Sequence, residues 1–439
     1  MIQFIDWVIA AGYVFVFFVA AWFYAFYRYD NVIAKEFIWL FMIRVFGGVL
    51  FAIIYVYYYK LVGDTFQYWQ GGRIMAEIFY DDPSSYFALM NSNAGAIPPE
   101  LKHHVEWIGY SNTSEEWFTT KIVSVFALFG FKSFLIYNIF FGAIGFIGCW
   151  QLMRFSREFI PEIKKQTFYV LALVPGVLIW SSGLIKDTIT FTCFAIFLLY
   201  YAKVVFGNEK KLRYFLFMII SAYFMFRIKP YVLICEIPAL AFATYVFYKA
   251  RINVPFLRRI LMPALLLTLM IGSIGGVIQI AEASEKYKLE TLESKVKGFQ
   301  SWHETLGGAY YTIGGGHVEY TATGVLVAAP EALSHTYIRP FLWEARNISM
   351  LFTAIESALI LILLIISFRY YIMDPDLRKF LHNNHIVVFL FVFAVVFGFT
   401  VGFTSYNYGA LARYKVPSQV SFLLLLFYVV IKGRQFKHI

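Results

Sequence analysis

The sequence predicts an all-α, polytopic integral membrane protein. Of its 439 residues, 60% are hydrophobic and 15% are charged, whereas soluble domains are roughly 45–50% apolar and about 25% charged. Long apolar runs recur along the chain, each near the roughly 20 residues that cross a bilayer as a helix. An outer-membrane barrel would instead show alternating segments of about ten residues. These observations exclude a soluble enzyme, a disordered chain and a disulfide-stapled secreted module.

Eleven apolar runs predict about eleven transmembrane helices within a single transmembrane domain over residues 1–439. The runs at 167–181 and 214–226 are short for a full crossing, which is typical of kinked or half-depth helices packed against protein. The first run has no preceding basic segment, so we expect a retained span and not a cleaved signal peptide. The predicted spans cover residues 5–27, 36–59, 133–153, 167–181, 186–206, 214–226, 231–248, 260–280, 347–368, 386–404 and 416–431.

Lys and Arg are concentrated in alternate short loops, such as the loop that contains Arg154, Arg157, Lys164 and Lys165. The long loop at 61–117 is acidic instead. Because short cytoplasmic loops carry the excess of Lys and Arg, the pattern predicts an N-terminus outside and a C-terminus in the cytoplasm. The formal net charge of +10 therefore reflects membrane orientation, and no nucleic-acid partner is expected.

Two long segments fall on the outer side of this map, at 61–132 and 281–346. The first contains a stretch at 118–131 that fits an amphipathic helix lying on the membrane or, alternatively, a further span. The second opens with apolar residues at helical spacing from Leu289 to Phe299 and continues into glycine-rich sequence. Glycines permit a mobile or closely approaching backbone, which favours a lid over a cavity or a flexible connector.

Five polar motifs from separate hairpins share one location in this map, at helix ends on the outer face. Charged side chains at the ends of bundled helices cost free energy unless they pair, bind a ligand or line a wet cavity. Their shared face predicts one extracytoplasmic cavity in which the motifs meet. The motifs are GDTFQYW at 63–69, SSGLIKD at 181–187, RIKPY at 227–231, RPFLWEARN at 339–347 and NYGALARYK at 407–415.

The motifs supply the three kinds of group that a pyrophosphate-linked sugar on a lipid carrier requires. Arg and Lys bind phosphate oxygens, aromatic rings stack on sugar rings, and a carboxylate can deprotonate an attacking hydroxyl. The candidate catalytic carboxylates are Asp64, Asp187 and Glu344. The candidate substrate-binding residues are Tyr68, Lys186, Arg227, Lys229, Arg339, Arg346, Arg413 and Lys415.

Each of these residues also has a structural interpretation. Arg and Lys at helix ends often extend to lipid headgroups, and Trp and Tyr form interfacial belts. Lys186 and Asp187 could instead seal a helix start as a local pair. Arg44, Glu236 and Glu356 lie inside predicted spans, where a charge is a functional hypothesis by default. A buried pair of Arg44 with a glutamate is the alternative to a proton relay.

No metal or cofactor motif accompanies these residues. The sequence contains no phosphate-binding P-loop, dinucleotide fingerprint, zinc-protease motif or nucleophile elbow. Cys149, Cys193 and Cys235 lie inside apolar runs without metal-ligand spacing. We therefore expect no metal site and no cofactor, while a role for a divalent cation stays open.

Three motifs resemble those of bacterial O-antigen and exopolysaccharide polymerases, and of polytopic, lipid-carrier-dependent glycosyltransferases with the GT-C fold. They are GDTFQYW, IWSSGLIKDTITF and NYGALARYKVP. The resemblance implies glycosyl transfer at the outer face of a bacterial inner membrane, with undecaprenyl-pyrophosphate-linked glycan as donor. It places Asp64 as candidate base, and Arg227, Arg339 and Arg413 as candidate pyrophosphate contacts. The chain departs from the GT-C pattern because its Asp64 follows the second span, whereas the usual acidic pair follows the first.

Two other functions fit the same membrane map. A transporter or flippase of lipid-linked glycan is the first, although such proteins often show repeated halves and no convincing internal repeat is present. The second is a non-catalytic subunit of an envelope assembly machine that uses the segment at 281–346 for partner contacts. Membrane lipid and a polyprenyl-pyrophosphate-linked glycan are the expected partners, and protein partners stay open.

Overall fold

The computed structural model describes residues 2–249, 309–316 and 321–436, together with isolated positions between 251 and 305. These residues form helices joined by turns, with two isolated β-bridges. Among them, eight helices are long and apolar enough to cross a membrane, so the chain is a multi-pass membrane protein, as its composition predicts. The predicted span at 260–280 and the helical start of the second outer segment lie outside the described residues.

The eight long helices coincide with predicted spans, and their ends differ from the predicted ones by up to six residues. In chain order the described helices are α1 (Phe4–Arg28), α2 (Asn31–Ile53), α3 (Asp64–Asp81), α4 (Pro83–Asn91), α5 (Lys102–Val105), α6 (Ser114–Ala127), α7 (Phe134–Phe159), α8 (Lys164–Leu173), α9 (Pro175–Trp180), α10 (Lys186–Val205), α11 (Leu212–Ile228), α12 (Pro230–Lys249), α13 (Ala322–Tyr337), α14 (Ile348–Met373), α15 (Pro375–Asn383), α16 (His385–Ser405), α17 (Tyr408–Tyr414) and α18 (Val416–Phe436).

Two predicted spans correspond to helices that are shorter than the eight long ones. The run at 167–181 is divided at Val174, because Pro175 has no N–H to donate and disfavours helical backbone at the residue before it. Its two parts, α8 and α9, have 10 and 6 residues, and α11, which replaces the run at 214–226, has 17 residues. With the run at 260–280, these segments account for the difference between eight long helices and eleven predicted spans.

The chain divides into two compact units. α7, α9, α10 and α11 each contribute one part to each unit. The first unit comprises Met1–Leu152, Leu178–Phe197 and Phe217–Lys229, and the second comprises Met153–Val177, Leu198–Leu216 and Pro230–Ile439.

The first outer segment, 61–132, is mostly helical and has a hydrophobic core of its own within the first unit. α3 packs along α6, where Gly71 and Gly72 lie in close contact with Thr120 and Val123. The buried residues of this core are Met75, Ile78, Tyr86, Leu89, Ile97, Leu101, Val105, Ile108 and Trp117. The segment therefore consists of helices packed around their own core. α6 overlaps most of the stretch at 118–131, where an amphipathic helix is predicted.

The turn between α9 and α10, Ser181–Ile185, is non-helical and buried within the first unit. The N–H of Leu184 donates to Asn138 Oδ1 on α7 at 2.8 Å. Gly145 lets α7 approach the turn closely, since a Cβ atom there would lie 2.0 Å from the Ser181 carbonyl oxygen. Non-helical backbone at membrane depth is tolerated where it is buried in protein, and this turn meets that condition.

In the second unit, α12, α13 and α18 pack against α16. Gly398 and Gly402 on α16 lie against Tyr337 and Ala332 of α13. A Cβ atom at either glycine would collide with these neighbours. The Tyr337 hydroxyl donates to the Ala394 carbonyl at 2.6 Å. These close helix contacts position the end of α13. Arg339 and Glu344, two of the candidate site residues, follow this end in the chain.

The three ionisable residues inside spans have different environments. Arg44 donates to the Ser181 hydroxyl in the first unit. In the second unit, Glu356 accepts a hydrogen bond from Gln419 at 3.0 Å. Both carboxyl oxygens of Glu236 are buried and have no hydrogen-bond partner in the part of the chain that the structure describes, so Glu236 does not form the suggested pair with Arg44.

Candidate functional site

Asp64 is the first residue of α3 and not a loop residue. The preceding Gly63 has φ +106°, a backbone conformation that L side chains rarely adopt, and it turns the chain sharply into the helix. The Asp64 carboxylate is half-buried and accepts a hydrogen bond from the Tyr110 hydroxyl at 2.8 Å. Burial, reinforced by the negative charge of Asp64, raises the pKa of the Tyr110 hydroxyl. Tyr110 therefore stays protonated and orients the Asp64 carboxylate.

Two buried ion pairs lie beside this carboxylate in the first unit. Lys186 Nζ is 2.9 Å from Glu116 Oε1 on α6, and Lys229 Nζ is 2.5 Å from Asp187 Oδ1. The positive charge of Lys186 also acts on the Tyr110 hydroxyl, which connects these pairs to the Asp64 position. Lys186 bonds to α6, and Asp187 bonds to Lys229 between α11 and α12, so their contacts reach beyond the local pair that the sequence suggests.

Aromatic rings and two further cations, Lys121 and Arg227, also lie in the first unit. The Tyr68 ring is buried and its centroid lies 5.2 Å from that of Tyr110. The Arg227 guanidinium lies over the Phe118 ring at 4.9 Å. Burial and the nearby charge of Arg227 lower the pKa of Lys121 to about 8. Arg227 has no carboxylate partner among the residues that the structure describes.

The second unit contains another group of candidate residues at the end of α13. Arg339 forms a bidentate ion pair with Glu344. Its Nε lies 3.2 Å from Oε2, and its Nη2 makes a shorter contact with Oε1. Glu344 also accepts the Phe341 N–H at 2.8 Å. Burial alone would raise the pKa of Glu344, but hydrogen bonds from Arg339 and Phe341 hold it below its usual value. Glu344 is therefore an ionised partner of Arg339.

His335 interacts with residues of two predicted motifs within this unit. Its Nδ1 lies 2.8 Å from the Tyr408 hydroxyl, and its ring stacks on Tyr311 with centroids 4.2 Å apart. Burial and the charge of Arg339 lower the pKa of His335 to about 4, so the imidazole is neutral at pH 7. Arg339 and Tyr408 belong to separate motifs, and both act on His335.

The remaining cations of the second unit differ in exposure. Arg346 is exposed, and Arg413 is half-buried beside the ring of Tyr414. Lys415 is buried and donates to the Thr336 carbonyl at 2.9 Å. Burial lowers the pKa of Lys415 to about 8. Lys415 is thus held by the protein, whereas Arg346 lies at the surface.

The predicted site residues fall into two sets, one in each unit. The first set is Asp64, Tyr68, Lys186, Asp187, Arg227 and Lys229, and the second is Arg339, Glu344, Arg346, Arg413 and Lys415. A single cavity that contains all of them stays a prediction. Throughout the described ranges, no three His, Cys, Asp or Glu side chains are grouped to hold a metal ion.

Sequence reasoning missed four residues of these groups. Glu116 is one of several acidic residues in the segment at 61–132, and Tyr110 and Lys121 lie in the same segment without a distinctive motif. His335 precedes Arg339 by four residues, a spacing that places both near one helix end and was available as a signal.

Comparisons of the chain with protein-family models, with curated proteins and with solved structures find no match.

The neutral state of His335 predicts a pH dependence of stability. The unfolded imidazole titrates near 6.5 and the folded one near 4, so the unfolded chain binds more protons between these values. The contribution of His335 to the free energy of unfolding is then largest above pH 6.5 and falls as the pH drops toward 4. We expect a loss of about 1.5 kcal/mol between pH 6.5 and pH 5, measured by thermal unfolding of the detergent-solubilised protein.

A His335→Phe variant, which retains an aromatic ring against Tyr311, should show a flatter decline over this range. His103→Gln, at an exposed position, is the control and should leave the profile unchanged. An unaltered slope in His335→Phe would show that another group causes the acid sensitivity.

Proposed function

We propose that the protein is a membrane glycosyltransferase of the polysaccharide-polymerase type. It would join glycan carried on polyprenyl pyrophosphate at the outer face of a bacterial inner membrane. The observation that carries this proposal is the half-buried Asp64 carboxylate, which is oriented by Tyr110 and lies next to a buried group of cations. Such a carboxylate suits a general base that takes a proton from an acceptor hydroxyl.

The reaction breaks the bond between the donor sugar and its pyrophosphate and forms a bond to the acceptor oxygen. Asp64 takes the acceptor proton, and the pyrophosphate leaves with the bonding electron pair. Cations stabilise the negative charge that develops on the leaving group. In the first unit, Arg227 is the candidate for this role because its guanidinium has no carboxylate partner among the described residues.

The buried ion pairs support this assignment indirectly. Lys186 with Glu116 and Lys229 with Asp187 neutralise each other, so we assign them to positioning and not to direct substrate contact. They would hold α6 and α10 around the carboxylate, as preorganised sites require. A GT-C fold with eleven spans and an outward-facing site is part of the same proposal.

The test is the length of surface glycan in cells that depend on this protein. Asp64→Asn should abolish long chains while single repeat units still reach the surface, since transfer and not export is lost. Asp81→Asn is a matched control, because it makes the same change at the exposed opposite end of α3. Both variants must be present at the level of the unchanged protein. Long chains of normal length in Asp64→Asn would exclude the enzymatic role.

A transporter of lipid-linked glycan is the second candidate. The division of α8 and α9 at Val174, with Glu356 bonded to the N–H of Gly176, resembles the interrupted helices that transporters use near the membrane midplane. The same glycan assay separates the two functions. Loss of all surface glycan, with lipid-linked units retained inside the cell, would favour transport.

A further inference from the structure

A cavity of about 390 Å³ lies in the second unit between α8, α14 and α18. Its volume is within the range of small-molecule sites. Leu173, Leu359, Leu363 and Phe427 contribute to its apolar walls. Leu173 and Leu359 are 65% and 58% exposed, so the cavity opens at the surface of the helices. Because α14 is long and apolar enough to span the membrane, we expect this surface to face the hydrocarbon region.

Two polar side chains stand in these apolar walls. Glu356 is 5% exposed and Gln419 is fully buried, and both line the cavity. The carboxylate accepts hydrogen bonds from the Gly176 N–H and from Gln419 Nε2. Gln419 Oε1 has no hydrogen-bond partner in the part of the chain that the structure describes. A buried acceptor without a donor costs about 1–3 kcal/mol, so a bound donor would stabilise it.

The protein contacts define the kind of polar group that the cavity accepts. Both Glu356 oxygens act as hydrogen-bond acceptors, and the remaining unpartnered atom, Gln419 Oε1, is an acceptor as well. A ligand end that carries only acceptors would leave these groups and its own without donors. Polar ligand groups that donate hydrogen bonds fit, and phosphate or carboxylate groups do not.

We infer that this cavity binds a ligand with a hydrocarbon chain that ends in a hydrogen-bond donor, either a hydroxyl or an amine. The chain lies along the leucine and phenylalanine walls, and the donor points to Glu356 and Gln419. Chains that end in carboxylate or phosphate are rejected. The inference stands apart from the proposed glycosyl transfer, whose phosphate-bearing substrate this cavity would not accept at its polar end.

Photoreactive alkyl probes of one chain length test the inference in the full-length protein in phosphatidylcholine nanodiscs. Four probes carry a hydroxyl, an amine, a carboxylate or a methyl ester at the end, and labelled residues are identified by peptide mass spectrometry. We expect the donor-terminated probes to label residues 169–175 and 359–363 about tenfold more than the carboxylate and ester probes. The hydroxyl and amine arms distinguish the two kinds of donor.

A second crevice on the same chain provides an internal control. It measures about 250 Å³ and is lined without charged side chains by residues that include Phe17, Ala21, Phe41 and Phe146. The four probes should label it equally. Equal labelling of the Glu356 cavity by all four probes in the unchanged protein would overturn the inference, and so would the absence of any labelling there.

Glu356→Gln adds a direct test of the acceptor atoms. This variant retains the side-chain shape but replaces one acceptor oxygen by an amide donor, so labelling by the carboxylate probe should rise several-fold while labelling of the control crevice stays constant. If the variant folds and the carboxylate probe is still excluded, the acceptor oxygens of Glu356 are not the selective element and the inference fails. The comparison in the unchanged protein decides the matter if the variant does not fold.

Discussion

Asp187→Ala is expected to destabilise the protein by about 3–5 kcal/mol, the usual effect of removing one partner of a buried ion pair. Asp187 and Lys229 are 7% and 4% exposed, and their charged atoms lie 2.5 Å apart. Without the carboxylate, the Lys229 ammonium would lose its closest counter-charge in a site that water hardly reaches. Such a loss is a large part of the roughly 5–15 kcal/mol that stabilises a typical domain.

The measurement is unfolding of purified variants in mild detergent, by heat or by added denaturing detergent. Asp187→Leu combined with Lys229→Met should recover much of the loss, because the double variant buries no charge. Lys132→Ala breaks the exposed pair with Glu77 and should change stability by less than about 1 kcal/mol. The assignment of a stabilising pair is wrong if Asp187→Ala unfolds under the same conditions as the unchanged protein.

Gly145→Ala is expected to destabilise the first unit by about 3 kcal/mol or more, at the upper end of the effects of overpacking. The added methyl group would lie 2.0 Å from the backbone carbonyl oxygen of Ser181. A backbone atom cannot rotate away as a flexible side chain can, so α7 and the turn must separate. The separation would also weaken the bond between Asn138 and Leu184.

Gly12→Ala provides the matched control for this substitution. Gly12 is also in a membrane helix, α1, but nothing lies within 4 Å of a Cβ atom at its position. Because alanine is the better helix former by about 1 kcal/mol, Gly12→Ala should leave stability unchanged or raise it slightly. The same unfolding measurement serves both variants, and equal effects at the two positions would contradict the close approach of α7 to the turn.

The positions of the long helices follow from composition, since an apolar run of the right length has few alternatives to a membrane helix. The division of the run at 167–181 also has a local cause in Pro175, whose ring acts on the residue before it. The helical packing of residues 61–132 could not be predicted from the sequence. Its core joins residues as distant as Met75 and Trp117, and no local pattern specifies such contacts.

For the candidate site, the sequence predicts unusual residue types at helix ends but not the residues to which they bond. The sequence indicates that Asp64, Lys186 and Lys229 are unusual at helix ends. It does not indicate that Lys186 bonds to Glu116, 70 positions earlier, or that Tyr110 orients Asp64. Ion-pair partners depend on tertiary packing, so residues that sequence favours as ligand contacts can be engaged within the protein.

The buried turn at Ser181–Ile185 has a consequence for how the chain enters the membrane. The Leu184 N–H finds its acceptor on Asn138 of α7, and an unsatisfied backbone group in lipid costs several kcal/mol. The turn is thus unstable in the bilayer until α7 is present. During synthesis α7 emerges first, so the order of the sequence supplies this acceptor before the turn needs it.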